Sequence, residues 1–143
     1  AMVYYPDRRL RRGMFGLKHK IYRKRKEYNP SLTYKPSDNL YSEKLSKFFG
    51  KIVINEFRKL KLPTHRVSSA VRGYLYRKGR KTLPAVLRYS KVPTSVLVEI
   101  ANLNNKRDRR SLLKSKTRQQ IALAITNSVV ANFGRTSGLV AKL

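Results

Sequence analysis

Residues 95–103, "SVLVEIANL", are short, apolar and rich in β-branched side chains. That composition suits a β-strand, but a strand needs a second one to pair with. No other strand pattern stands out in the chain, whereas helical spacing recurs through most of it. The stretch is therefore read as a helix, and the fold class as all-α.

Working outward, Val92-Pro93-Thr94 interrupts the chain before this stretch. Thr82 and Pro84 open a short helix to about Ser90 that buries Leu83, Val86 and Leu87. Upstream, Thr64 caps a helix with Val67, Val71, Tyr74 and Leu75 inward, and Gly79 lies just past its end. The longest helix starts at Ser37 or Asp38, carries Tyr41, Leu45, Phe48, Phe49, Ile52, Val53, Phe57 and Leu60, and stops at Pro63. Downstream, residues 104–116 form a basic connector. Thr117 and Gln120 make a capping box for a last helix with Ile121, Ile125, Val129 and Phe133, ending at Gly134. The expectation is a compact bundle of about four to five helices over 37–143 with an apolar C-terminal tail.

A basic N-terminal arm and linker (1–36) precede it. "RRLRRGMFGLKHKIYRKRK" (8–26) holds ten Lys/Arg and no acid, yet Leu10, Met14, Leu17 and Ile21 recur on one helical face. Gly13 and Gly16 cost a helix roughly 2 kcal/mol relative to Ala. The arm is expected to be unfolded alone and helical once phosphates screen its charge and a partner subunit covers that stripe. Residues 27–36, with Pro30 and Pro36, read as a linker.

The 143 residues suffice for one domain and carry a net charge of +27, from 34 Lys/Arg against 7 Asp/Glu. Such a chain repels itself unless a polyanion is close. Its charge matches roughly 45 Å of duplex DNA, which suggests coating rather than a few phosphate contacts. There is no cysteine, hence no disulfide or thiolate site. No apolar run nears the ~18 residues of a membrane span, and no signal-peptide pattern follows the N-terminal charges.

Catalytic equipment is sparse. His19 and His65 stand apart in basic surroundings, and the acids are scattered, with no spacing for a metal or for paired acid/base work. No Gly-rich phosphate loop is present. The chain is read as a non-enzyme without metal or cofactor.

The cations fall into three groups. The first is Arg8, Arg9, Arg11, Arg12, Lys18, Lys20, Arg23, Lys24, Arg25 and Lys26. The second is Arg66, Arg72, Arg77, Lys78, Arg80 and Lys81. The third is Lys106, Arg107, Arg109, Arg110, Lys114, Lys116 and Arg118. Cations at a helix start oppose its dipole, so Lys116 and Arg118 point to an external anion. Together the groups suggest a track that binds phosphate and shape rather than bases. Thr64–Gly79–Thr82 also has roughly a helix-turn-helix layout, the sequence-specific alternative.

In its order of basic arm (8–26), linker (27–36) and bundle (37–133), the chain resembles the major coat proteins of filamentous archaeal viruses. The resemblance implies a coat dimer that encloses double-stranded DNA in a virion without reading its sequence, with the arm cations and those flanking the bundle on phosphate. The charge exceeds that of the rod-shaped members. The alternatives are a ribosomal or other RNA-binding structural protein of the cytoplasm or ribosome, and a histone-like protein. "LPTHRVSSAVRGYLYRKG" (62–79) and "KSKTRQQIALAI" (114–125) are similar to histone-fold helices, but Pro84 and Pro93 interrupt the long helix that fold needs between them.

Overall fold

Two long antiparallel helices carry the core. The computed structural model describes residues 1–11, 36–66, 69–88, 90 and 92–140. Helix α1 spans Pro36–Lys59 and the last helix Ser115–Val140. The rings of Phe49 and Phe133 meet at 5.6 Å, while Phe57 and Ile121 line one cleft further along the pair. Val53, Ile54, Phe57, Ile121 and Ala124 are buried between the helices and a small sheet, together with Val3, Leu62 and Ala70.

That sheet overturns the all-α expectation: the fold is mixed, with a three-stranded and a two-stranded sheet. β1 (Met2–Tyr4) is the central strand of the first, between β2 (Val71–Arg72) and β5 (Leu97–Glu99). It runs parallel to β2 and antiparallel to β5, with Val3 opposite both Val71 and Val98. So "SVLVEIANL" contains a strand, and its partner is "MVY" at the N-terminus. α1 lies directly on this sheet at Gly50, where a Cβ would approach Val3 and Val71 to 3.1 and 3.2 Å.

The helix expected from Thr64 to Gly79 is absent. Residues 75–82 instead form a hairpin of β3 (Leu75–Arg77) and β4 (Arg80–Thr82). Lys78 and Gly79 both have positive φ, 49° and 72°, the signature of a two-residue type I′ turn. Gly79 serves that turn and not a helix end, which removes the helix-turn-helix layout. A short α2 (Ala85–Arg88) follows and buries Leu83 and Leu87, while Val86 stays exposed.

The supposed connector 104–116 contains α3 (Lys106–Leu113). Asn105 caps it by accepting the Arg107 and Asp108 amides, at 2.9 and 3.1 Å. The last helix, α4, continues past Gly134. Only Ile121 of its expected apolar row is buried; Ile125, Val129 and Phe133 are 37–45% exposed. Each four-residue step overshoots a helical turn by about 40°, so the row winds off the core by Phe133. Ala124 and Ser128 take the inward positions.

Residues 1–11 belong to the body. The Val3 amide donates to Ala70 and that of Tyr5 to Arg72. A 3-10 turn (Arg8–Leu10), capped by Asp7, ends at Arg11, whose backbone is extended, so no continuous helix starts at Arg8. Arg11 is 6% exposed and donates to Asn39 Oδ1 at 3.3 Å and to the Ser90 carbonyl. Arg11 and Asn39, on either side of residues 12–35, are thus hydrogen bonded to each other. A boundary at residue 36 would place the central strand with the arm.

Candidate nucleic-acid interface

α1 has three faces. Its core face holds Val53, Ile54 and Phe57. Lys44, Lys47, Lys51 and Arg58, at i, i+3, i+7 and i+14, lie on another and are all exposed. This basic stripe was readable from spacing, yet its residues lie outside the three dense groups. Its C-terminal part opens into a cleft. Lys51, Arg58 and Arg66 line one section with His65 and Thr64. Arg58 and Arg66 also line the next, with Lys61 and Arg107. Arg107 continues into a third with Lys106, Arg110 and Lys114.

At its other end the stripe adjoins the hairpin. Lys47 Nζ lies 5.7 Å from the centre of the Tyr5 ring. Tyr5 in turn packs on Gly73, where a Cβ would come within 3.0 Å of the ring. The next residue, Tyr74, meets Tyr76 edge-on at 5.4 Å and carries Lys81 Nζ 4.6 Å above its ring. Burial, with Glu43 and Asp7 nearby, pushes the Tyr5 phenol above its usual range, so it stays neutral within this chain of contacts.

The hairpin has two chemically distinct faces. Tyr76 pairs with Lys81 on one, while Arg77 pairs with Arg80 on the other, next to Leu75 and Thr82. Arg77, Lys78, Arg80 and Lys81 are all exposed. Like charges directly opposite are unfavourable in a free hairpin, and an anion between them reverses the sign.

Arg66 of the second group and Arg107 of the third thus share the cleft with α1, and the hairpin cations adjoin its stripe through Tyr5, Gly73 and Tyr74. Acids do not cancel it. Asp7 pairs with Arg9 at 2.7 Å and Glu56 with Lys59 at 2.6 Å. Burial raises the Asp7 carboxyl, but the Arg9 hydrogen bonds and charge outweigh it and hold the group below the usual carboxylate range. Glu43 accepts the Arg8 amide, and Asp108, the one acid in the cleft, accepts that of Asn102.

Several expected phosphate ligands have internal work. Arg118 donates to the Leu112 and Leu113 carbonyls at 2.9 and 2.7 Å, so it neutralises the end of α3 and needs no external anion. Arg109 binds the Leu103 carbonyl, and Arg72 Nε that of Ser69. Arg11 is buried. Arg8 and Lys116 are exposed, and Leu10 is half-buried. Arg12, Lys18, Lys20, Arg23, Lys24, Arg25 and Lys26, with Met14, Leu17 and Ile21, lie outside the described residues, as does Val67.

Lys61 shows what the cleft costs. α1 ends in a Schellman motif: the Lys61 amide donates to Arg58 and that of Leu62 to Phe57, both at 2.9 Å. Lys61 holds the left-handed position at φ 56°, where glycine is the usual residue. The other non-glycine residue of positive φ among those described is Lys78, at the hairpin tip. Both strained positions thus present a lysine on the basic track. Lys61→Gly is expected to stabilise the fold by about 1 kcal/mol in denaturant titration while weakening duplex binding; weaker binding without added stability would contradict this account of the turn.

Comparison with protein-family models, with characterised proteins and with solved structures returns no match. Among the described residues, no group of three acids, histidines or cysteines could hold a metal ion, and no helix is long and apolar enough to cross a membrane.

Proposed function

We propose that this is a structural nucleoprotein that binds double-stranded DNA through its phosphates, without reading sequence, and coats it as an assembly of neighbouring subunits. The observation that carries this is the cationic cleft that α1 shares with Arg66 and α3, joined to the basic hairpin through Tyr5, Gly73 and Tyr74. Its residues are exposed Lys and Arg with Tyr76 beside them; Asp108 in the cleft accepts the Asn102 amide, and Asp7 and Glu56 are paired with Arg9 and Lys59. Contacts of this kind fix position and affinity but carry no base code. A two-stranded ribbon with a basic tip also matches the roughly 12 Å width of the major groove of B-DNA. In support of the coat resemblance stand the charge and the basic segment running on from Arg11. The all-helical layout no longer supports it.

The deciding experiment is assembly on duplexes of random sequence. Regular filaments in electron micrographs, with equal affinity for unrelated sequences, are expected. Binding confined to one folded RNA, as for a ribosomal protein, would overturn the proposal. So would compact beads protecting a fixed length from nuclease, the histone-like outcome.

A further inference from the structure

We infer that the outward face of α1 holds unpaired nucleotides, with bases stacked on Tyr41 and Phe48, so that single-stranded nucleic acid is a second ligand of this protein, an inference that rests on the nucleic-acid reading above but not on the duplex. Tyr41, Lys44, Phe48 and Lys51 fall at i, i+3, i+7 and i+10, one row along the helix. Tyr41 is 61% and Phe48 60% exposed, and both lysines are exposed as well. Each ring therefore has an ammonium group one turn further on. Lys47, also exposed, flanks the row, while Glu43 is held away from it by the Arg8 amide. The two rings stand seven residues apart, about 10.5 Å along the axis. That is about three steps of a stacked strand at 3.4 Å each.

Chemistry identifies the occupant. A duplex keeps its base faces inside its own stack and presents phosphates and groove edges. Those suit Lys and Arg but leave a flat, exposed ring without a partner. An unpaired strand presents both base faces and phosphates, which match rings and lysines set in one row. Every base has a π-face, so stacking adds affinity without reading sequence. A lipid surface asks for another layout, a broad apolar face with cations on the opposite, polar one. Here rings and cations alternate within a single row. The hairpin repeats the pairing, because Tyr76, 65% exposed, lies directly opposite Lys81.

The test is fluorescence anisotropy of the full chain with three labelled probes: oligo(dT), an abasic strand with the same number of phosphates, and a duplex. The wild type should bind oligo(dT) more tightly than the abasic strand by about tenfold for each ring engaged. Tyr41→Ala with Phe48→Ala should bring oligo(dT) down to the abasic level and leave the abasic strand and the duplex unchanged. Its melting temperature should not move, because both rings are exposed. Tyr41→Phe with Phe48→Tyr keeps two rings and should keep the preference. Equal binding of oligo(dT) and the abasic strand by the wild type overturns the inference, since charge alone then acts. A preference that survives the two alanines overturns it, as does an equal loss on all three probes. Partition of the wild type, but not of the alanine pair, onto anionic vesicles with no preference for oligo(dT) assigns the face to lipid and overturns it too. The two proposals fail separately: preference for oligo(dT) without duplex binding sinks the duplex reading alone, and duplex binding without that preference sinks this one alone.

Discussion

Val3→Asp is expected to leave the protein unfolded at room temperature, whereas excision of residues 12–35, replaced by a short Gly/Ser linker, leaves it folded. Val3 is 0% exposed at the centre of the three-stranded sheet, under Gly50 of α1. Losing its burial costs about 2 kcal/mol, and an unpaired carboxylate in its place adds several more. A domain stable by about 5–15 kcal/mol does not survive much beyond that. Val3→Ala should cost about 2 kcal/mol and remain foldable, separating the packing term from buried charge. Excision behaves differently because Arg11 and Asn39 are hydrogen bonded to each other, so the linker has little distance to span. Loop length itself enters stability only logarithmically. Thermal melts by circular dichroism check all three variants; a melted excision variant, or a cooperative Val3→Asp, would contradict this account of the N-terminus.

The same strand explains why local pattern points to the wrong fold class. α1 is legible because its apolar positions recur over many turns and its end is marked. β1 is three residues long, and three residues have no readable period. Its pairing with β5 joins segments more than ninety residues apart, which local pattern does not report. Without that partner, "SVLVEIANL" has to be a helix. The hairpin escapes for a different reason: a glycine after an apolar run marks a helix end as readily as a type I′ turn. Lys78, which shares the positive φ, is not a residue that advertises it. Within the interface, clustering in sequence finds the hairpin and α3. Lys44, Lys47, Lys51 and Arg58 are spread over four turns and become a stripe only on the helix. Clustering also over-counts: Arg11 and Arg118 belong to dense runs but satisfy buried or helix-terminal oxygens. A dense run of cations reports net charge, and only geometry tells which are engaged internally.

That distinction supports the largest effect expected on binding. Replacing Lys51, Arg58, Arg66 and Arg107 together by glutamine should lower the slope of log K against log salt by about 3.6 on duplex DNA, at ~0.9 for each phosphate no longer neutralised. At about 0.1 M salt this is a drop on the order of three decades in affinity. The fold should be indifferent or slightly gain, because all four side chains are exposed and their mutual repulsion is relieved. The drop should be equal for unrelated sequences, as phosphate binding requires. Arg8→Gln with Lys59→Gln serves as the control: both residues are exposed, but Lys59 is paired with Glu56 and neither lines the cleft. That pair should change the slope by far less than two phosphates would. Fluorescence anisotropy over a salt series on two unrelated duplexes measures all of this. Equal slopes for the quadruple and the control would mean that the positive charge acts as a diffuse cloud and the track is no interface. A drop confined to one duplex would mean that these side chains read bases.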